Sequence, residues 1–136
     1  MSGFLGVLGR QTGRLMQLGL EPEPFGHFHD TDGAIRFFNG LRNRSRRPEL
    51  IERHLGLTYD TCHFAILREE PEFTLSAWEE NNIALCKVQF SNALECRICG
   101  EEDLERLRQF DDGVYFHQTS ILRREGTMRY PELPNA

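Results

Sequence analysis

The chain contains 136 residues, of which 39% are hydrophobic and 27% charged, and its formal net charge is −5. This composition is typical of a folded globular protein and excludes a disordered chain. No apolar stretch approaches the ~20 residues that a membrane-spanning helix needs, so we expect no membrane segment.

The first residues, MSGFLGVLGR, do not predict a secretion signal, because no basic segment precedes the short apolar run. The four cysteines, at positions 62, 86, 96 and 99, lack the spacing of a small disulfide scaffold. We therefore expect a cytoplasmic protein whose cysteines remain free thiols.

The first half of the chain predicts helices. Apolar residues at helical spacing predict a glycine-interrupted helix over 3–20, followed by a proline-rich connection at 21–26. Asp30, Thr31 and Asp32 are candidate caps of a second helix, and Pro48 is well placed to begin a third. Gly56 is expected to end that third helix.

The second half predicts strands, because apolar and polar residues alternate from residue 60 onward. Short turns separate the four expected strands, and connections this short join antiparallel neighbours. A helix is expected at 101–110. The four strands, the fifth one after the helix and a last short one are predicted at 63–67, 73–78, 83–90, 93–98, 114–122 and 127–130.

These elements together predict an α+β fold in one domain over 1–136. N-terminal helices (1–56) would pack on an antiparallel β-meander of about five strands (57–130), with one short helix inserted before the last strands. Residues 131–136 would form an exposed tail. Runs of strands after runs of helices favour this class over alternating α/β.

Cys96 and Cys99 have the spacing of half a zinc site, and the segment CRIC resembles the opening pair of RING-type zinc fingers. The resemblance covers four residues, and only His117 follows as a further ligand, whereas a RING needs eight ligands. On a strand, residues three apart point to opposite faces and lie ~10 Å apart. We therefore predict two strand thiols and no metal site, with a zinc site as the alternative.

Neither the histidines nor the aspartates predict a catalytic centre. Cys62 and His63 would point to opposite faces of a strand, so they are not expected to form a nucleophilic pair. Asp30 and Asp32 do not fit a calcium loop and are better explained as helix caps. The chain contains no phosphate-binding glycine loop, and we predict no catalytic residue and no cofactor.

One basic cluster and one aromatic set supply the candidate binding residues. Phosphate or nucleic-acid contact is assigned to Arg42, Arg44, Arg46 and Arg47, although a sequence pI near 5.5 disfavours nucleic acid as the partner. A pocket between sheet and helices, if present, would be lined by Trp78, Phe90, Phe116 and His117.

Charge asymmetry and the absence of a catalytic motif favour a protein that works by macromolecular interaction, of the inhibitor, immunity or adaptor type. Residues 1–56 carry a net charge of +2 (eight arginines, six acidic residues), and residues 57–136 carry −7 (eight basic, fifteen acidic residues). The acidic half would bind a basic protein partner. A homodimer through the N-terminal helix is a further hypothesis. The alternatives are a small enzyme or ligand-binding domain and arginine-mediated nucleic-acid binding.

Overall fold

The computed structural model describes residues 2–111, 113 and 118–135, and its chain divides into two compact units, Met1–Ser91 and Asn92–Ala136. The described elements of the first unit are, in chain order, α1 (Ser2–Thr12), β1 (Leu18–Leu20), α2 (Thr31–Arg44), α3 (Pro48–His54), β2 (Leu55–Asp60), α4 (Thr61–Leu67), α5 (Pro71–Glu80) and β3 (Ala84–Gln89). Those of the second unit are α6 (Glu101–Arg108), β4 (Thr119–Arg123), β5 (Gly126–Tyr130) and a 3-10 turn, Leu133–Asn135.

The first unit is built on a three-stranded parallel sheet in the order β1-β2-β3. Parallel neighbours require a long crossover, which α2 and α3 provide between β1 and β2, and α4 and α5 between β2 and β3. The carboxyl ends of all three strands consequently lie at one side of the sheet, after Leu20, Asp60 and Gln89. We call this side the carboxyl edge.

The predicted five-stranded antiparallel meander is wrong. The described residues form two small sheets, one parallel with three strands and one antiparallel with two strands. Residues 63–67 and 73–78, expected to be strands, lie in α4 and α5, and residues 93–98 have no regular structure. Of the four strands expected before the inserted helix, only that at 83–90 exists, and it pairs in parallel as β3.

Local sequence signals explain why α4 and α5 are helices. The Asp60 side chain accepts a hydrogen bond from the Cys62 N–H and caps α4, while Pro71 occupies the first turn of α5, where its missing N–H costs nothing. Their buried side chains also follow helical spacing, Phe64 with Leu67 and Thr74 with Trp78. The apolar residues of these two short runs therefore follow the spacing of a helix, and the predicted alternation of a strand is wrong.

β2 was missed because Gly56 was assigned as a helix cap. The strand is instead central, with Gly56 and the four residues after it all buried, as expected of a parallel strand covered on both faces. β1 lies inside the helix predicted over 3–20, of which only residues 3–12 are helical, in α1.

The core of the first unit lies between the sheet and its helices. Tyr59 stacks on Phe64 with ring centroids 4.4 Å apart, and Trp78 packs edge-on against both rings. Nine apolar side chains are buried there: Ala34, Phe38, Ile51, Leu57, Tyr59, Phe64, Leu67, Trp78 and Ile83. This packing fixes the strand ends that carry the site.

The other face of the sheet, which we call the concave face, is tightly curled. A Cβ added to Gly19 of β1 would lie 2.6 Å from Thr58 Oγ1 and 3.0 Å from Cys86 Cβ on β3. A Cβ on Gly56 would overlap the Ala84 carbonyl oxygen and the Cys86 sulfur. Only glycine permits this close approach of the two edge strands over β2.

The second unit combines α6 with the antiparallel pair β4–β5. The helix predicted at 101–110 and the last strand at 127–130 are confirmed. Of the strand predicted at 114–122, residues 119–122 lie in β4, and residues 114–117 lie outside the described part of the chain. Among the described residues, no helix is both long and apolar enough to cross a bilayer.

Candidate functional site

Six side chains follow or end the three parallel strands and form what we call the carboxyl-edge cluster. β1 leads into one member, β2 ends with one, the first turn of α4 contributes two, and β3 with the residues after it contributes two. The members are Glu21, Asp60, Cys62, His63, Gln89 and Ser91. Ligands of open α/β sheets bind outside the carboxyl ends of the strands, so the position alone makes this cluster a candidate site.

Asp60 is the centre of the cluster and is 2% exposed. Its Oδ1 accepts hydrogen bonds from the Cys62 N–H, at 3.0 Å, and from the Ser91 hydroxyl, while its Oδ2 accepts from Gln89 Nε2 at 2.5 Å. Burial alone would raise the pKa of Asp60, but the hydrogen bonds from Ser91 and Cys62 outweigh burial and lower it. The residue is therefore a buried carboxylate held in one orientation.

Ser91 ties the end of β3 to the start of α4. The Thr61 hydroxyl donates to the Ser91 carbonyl oxygen at 2.6 Å, and the Ser91 N–H donates to Thr61 Oγ1 at 2.9 Å. The Cys62 N–H also lies 3.1 Å from Ser91 Oγ. These contacts connect two strand ends through side chains, so that the site does not depend on one loop alone.

His63 is oriented by the residues that follow β1. Its Nδ1 lies 3.2 Å from the Pro22 carbonyl oxygen and 3.4 Å from Glu21 Oε1, and its side chain is 14% exposed. A carbonyl oxygen only accepts, so Nδ1 carries the hydrogen in this bond. In the neutral imidazole Nε2 then carries the free lone pair, which is the form that binds metals.

Cys62 completes a group of potential metal ligands. Its thiol, a carboxylate oxygen of Asp60 and a ring nitrogen of His63 all lie within 4.8 Å of one another. Burial raises the pKa of the Cys62 thiol; a hydrogen bond with Ser91 opposes this effect, and one with Asp60 adds to it. The prediction that Cys62 and His63 point to opposite faces of a strand is wrong, because both residues lie in α4 and their ligand atoms lie within 4.8 Å of each other.

The four predicted phosphate-contacting arginines are placed differently from one another. Arg42 is 14% exposed, with Nε 3.5 Å from Glu52 Oε1 and an NH2 that donates to the Asn82 carbonyl at 2.7 Å. Arg47 donates to Glu49 Oε1 at 2.9 Å. Arg44 and Arg46 are exposed. The cluster thus does not act as one surface of four free guanidinium groups.

The four predicted pocket residues are not brought together as a described site. Trp78 is buried in the core at 1% exposure, whereas Phe90, after β3, is 89% exposed. Phe116 and His117 lie outside the described residues.

Cys96 and Cys99 are both exposed and lie in irregular chain, not on a strand. The predicted strand that would hold these two thiols ~10 Å apart is therefore wrong. The ligand group found in the described part of the chain is elsewhere, at Asp60, Cys62 and His63. A sequence signal for it existed: an acidic residue that ends a buried apolar run and caps the next helix.

Comparison with known proteins assigns no function. No family model, no curated protein and no solved structure matches the chain. The functional conclusion therefore depends on the chemistry of the carboxyl-edge cluster.

Proposed function

We propose that the first unit binds a divalent transition metal, with Zn²⁺ as the best candidate, and acts on a small polar substrate at the carboxyl edge of its sheet. The observation that carries this proposal is the convergence of Asp60, Cys62 and His63, whose ligand atoms lie within 4.8 Å of one another. It takes up the alternative of a small enzyme and sets aside the prediction that no residue binds a metal.

The donor set supports zinc. Oxygen, sulfur and nitrogen donors in one group suit a borderline-soft ion, whereas Mg²⁺ and Ca²⁺ prefer oxygen alone. Ligands at ~2.0 to 2.3 Å from a tetrahedral Zn²⁺ are ~3.5 Å apart, so the three side chains need to close by only about 1 Å. Three protein ligands with an open fourth position are typical of catalytic zinc.

The residues around the ligands support an ordered site. Asp60 uses three of its roughly four lone-pair positions for Cys62, Ser91 and Gln89, which leaves one for a metal. Pro22 fixes the His63 ring so that Nε2 is available. Partners of this kind orient metal ligands and raise metal affinity.

Glu21 supplies an ionisable group beside the ligands, because its Oε1 lies 3.4 Å from His63 Nδ1 and its side chain is 36% exposed. A partly exposed carboxylate within reach of a substrate can accept a proton as a general base. A bound metal would polarise a substrate oxygen or activate a water molecule. We therefore assign metal-assisted proton transfer or hydrolysis as the reaction class.

The test is a calorimetric titration of the full, chelator-treated chain with Zn²⁺. We expect one equivalent to bind, with at least a 100-fold loss of affinity in His63→Ala and in Asp60→Asn and a smaller loss in Cys62→Ser. His29→Ala and Cys99→Ser are matched controls, because both side chains lie outside the cluster. Circular dichroism verifies that each variant is folded.

Two results would contradict the proposal: wild type that binds no Zn²⁺, or folded His63→Ala that binds it as tightly as wild type does. Loss of binding in Cys99→Ser would move the metal site to the Cys96–Cys99 pair.

The macromolecular-interaction hypothesis stays a prediction, as do the basic partner and the homodimer. Size-exclusion chromatography and pull-down at low and high salt test it, and neither result bears on metal binding.

A further inference from the structure

A β-bulge lies in β3 beside the carboxyl-edge cluster. Leu57 of β2 pairs with Leu85, but the next residue, Thr58, pairs with Lys87, so Cys86 is an extra residue without a partner in the register. Bulges of this kind change which face of a sheet the following side chains occupy, and they are frequent next to active sites.

The extra residue determines where Lys87 points. Without it, Lys87 would pair with Tyr59, whose ring lies in the core on the helix side of the sheet. With it, Lys87 pairs with Thr58 and Gln89 pairs with Asp60, which places both side chains on the face that carries the Asp60 carboxylate.

A hydrogen-bonded row connects Lys87 to the proposed metal site. Lys87 Nζ donates to Gln89 Oε1 at 2.6 Å, and Gln89 Nε2 donates to Asp60 Oδ2 at 2.5 Å. The Gln89 amide is therefore fixed by a cation at one end and a carboxylate at the other. Through it, Lys87 is held two hydrogen bonds from the carboxylate that would ligate the metal.

The charge of Lys87 is available to a ligand. Its side chain is exposed, its hydrogen-bond partner is a neutral amide, and no ion pair among the described residues includes it. It is also the only lysine of the chain, whose other fifteen basic residues are arginines. An ammonium in this position can bind an anionic oxygen as a compact point charge.

We propose that Lys87 binds the anionic group of the substrate while the metal held by Asp60, Cys62 and His63 contacts the reacting oxygen. The inference rests on the proposed function and narrows its substrate class to small anionic molecules, either phosphates or carboxylates. Gln89 is a positioning residue that holds Lys87 and Asp60 in register.

The test uses the Zn²⁺-loaded full chain, with inorganic phosphate and acetate as probes in separate calorimetric titrations. We expect Lys87→Met to weaken binding of the preferred anion at least tenfold, while its Zn²⁺ affinity stays within twofold of wild type. Lys87→Arg keeps the charge and should retain most of the affinity. Arg46→Met removes an exposed cation elsewhere and is the matched control.

The outcomes are distinguishable. Tighter binding of phosphate than of acetate assigns a phosphate-bearing substrate, and the reverse assigns a carboxylate. If neither probe binds the loaded protein, or if Lys87→Met binds the anion as wild type does, the inference is overturned while the metal site stands. If Zn²⁺ does not bind, the proposed function fails and the inference fails with it.

Discussion

Two cysteine-bearing segments of this chain, Asp60–His63 and Cys96–Cys99, differ in what sequence spacing shows about them. The second has a recognisable metal-ligand spacing, yet both of its thiols are exposed in irregular chain. The first has no recognised spacing, yet its three side chains converge. A strand end that is followed at once by a helix can therefore bring potential metal ligands together without a recognised spacing in the sequence.

The physical reason is the path of the backbone. Asp60 ends a strand and caps the helix that begins at Thr61, so the backbone changes from strand to helix between Asp60 and His63. Residues three apart around a helical turn lie on the same side. Cys96 and Cys99 have no such turn between them.

The largest expected difference between the segments is in stability, because in each of them a cysteine N–H donates a hydrogen bond to an aspartate carboxylate. Asp60 is buried, whereas Asp103 is half-buried and the hydrogen bond that it accepts from the Cys99 N–H, at 2.9 Å, is exposed. Asp60→Ala removes the acceptor of three hydrogen bonds at a buried position and should reduce the free energy of unfolding by about 3 kcal/mol. Asp103→Ala should cost about 0.5 kcal/mol in urea unfolding. If Asp60→Ala and Asp103→Ala reduced the free energy of unfolding equally, the two segments would not differ in this respect.

The lowered pKa of Asp60 predicts that the free energy of unfolding falls in acid. Because the folded-state pKa of Asp60 is lowered, its stabilisation is present above its ordinary pKa of 3.8 and is lost as the pH falls through the lowered value. The stability difference between wild type and Asp60→Asn should therefore be largest near neutral pH and shrink in acid. A difference that does not change with pH would show that Asp60 is not held as a carboxylate.

A smaller effect on stability is expected when a glycine near each segment is replaced by alanine. Gly56 lies four residues before Asp60, and Gly100 directly follows Cys99. Gly56→Ala places a Cβ against backbone and sulfur atoms of β3 and should destabilise the first unit by about 2 kcal/mol. Gly100→Ala finds no atom within 4 Å, at an extended φ of −173°, and should change stability by less than about 0.5 kcal/mol. Thermal unfolding of the two variants measures this, and a tolerated Gly56→Ala would argue against the curled sheet.

The smallest effect is expected in thiol reactivity. Burial raises the pKa of both Cys62 and Cys86 and also limits access of a reagent to them, whereas Cys96 and Cys99 are exposed. Iodoacetamide should modify Cys62 and Cys86 about tenfold more slowly than Cys96 and Cys99. Mass spectrometry of the modified peptides measures the four rates. Added Zn²⁺ should slow Cys62 further and leave Cys86 unchanged. Protection of Cys96 and Cys99 instead would reverse the comparison.

The sequence predicted the elements whose signals are local. Asp30 caps α2, Pro48 begins α3, and the acidic first turn of α6 was assigned correctly, because caps and amphipathic spacing depend on neighbouring residues. α4 and α5 were assigned as strands because Phe64, Leu67 and Trp78 belong to short apolar runs whose period is ambiguous. The Asp60 cap and Pro71 in the first turn of α5 were the signals that favour helices over strands here.

The candidate site was not predictable to the same degree. Cys62 and His63 were considered and dismissed because their segment was taken as a strand. Gln89 and Ser91 reach Asp60 only through parallel pairing of β2 with β3, which is a long-range contact. The bulge at Cys86 leaves no pattern in the sequence, so the orientation of Lys87 could not be inferred without coordinates.

The single tryptophan of the chain lies in the first unit, buried against Tyr59 and Phe64. Tryptophan fluorescence therefore reports on the first unit, because the second unit contains no tryptophan. Emission excited selectively at the tryptophan, without the tyrosines, will follow unfolding around Trp78 in the first unit, while far-ultraviolet circular dichroism sums both units. A gap between the two melting curves would separate them without truncating the chain, and the shift of the emission curve with added metal would give the stabilisation due to binding.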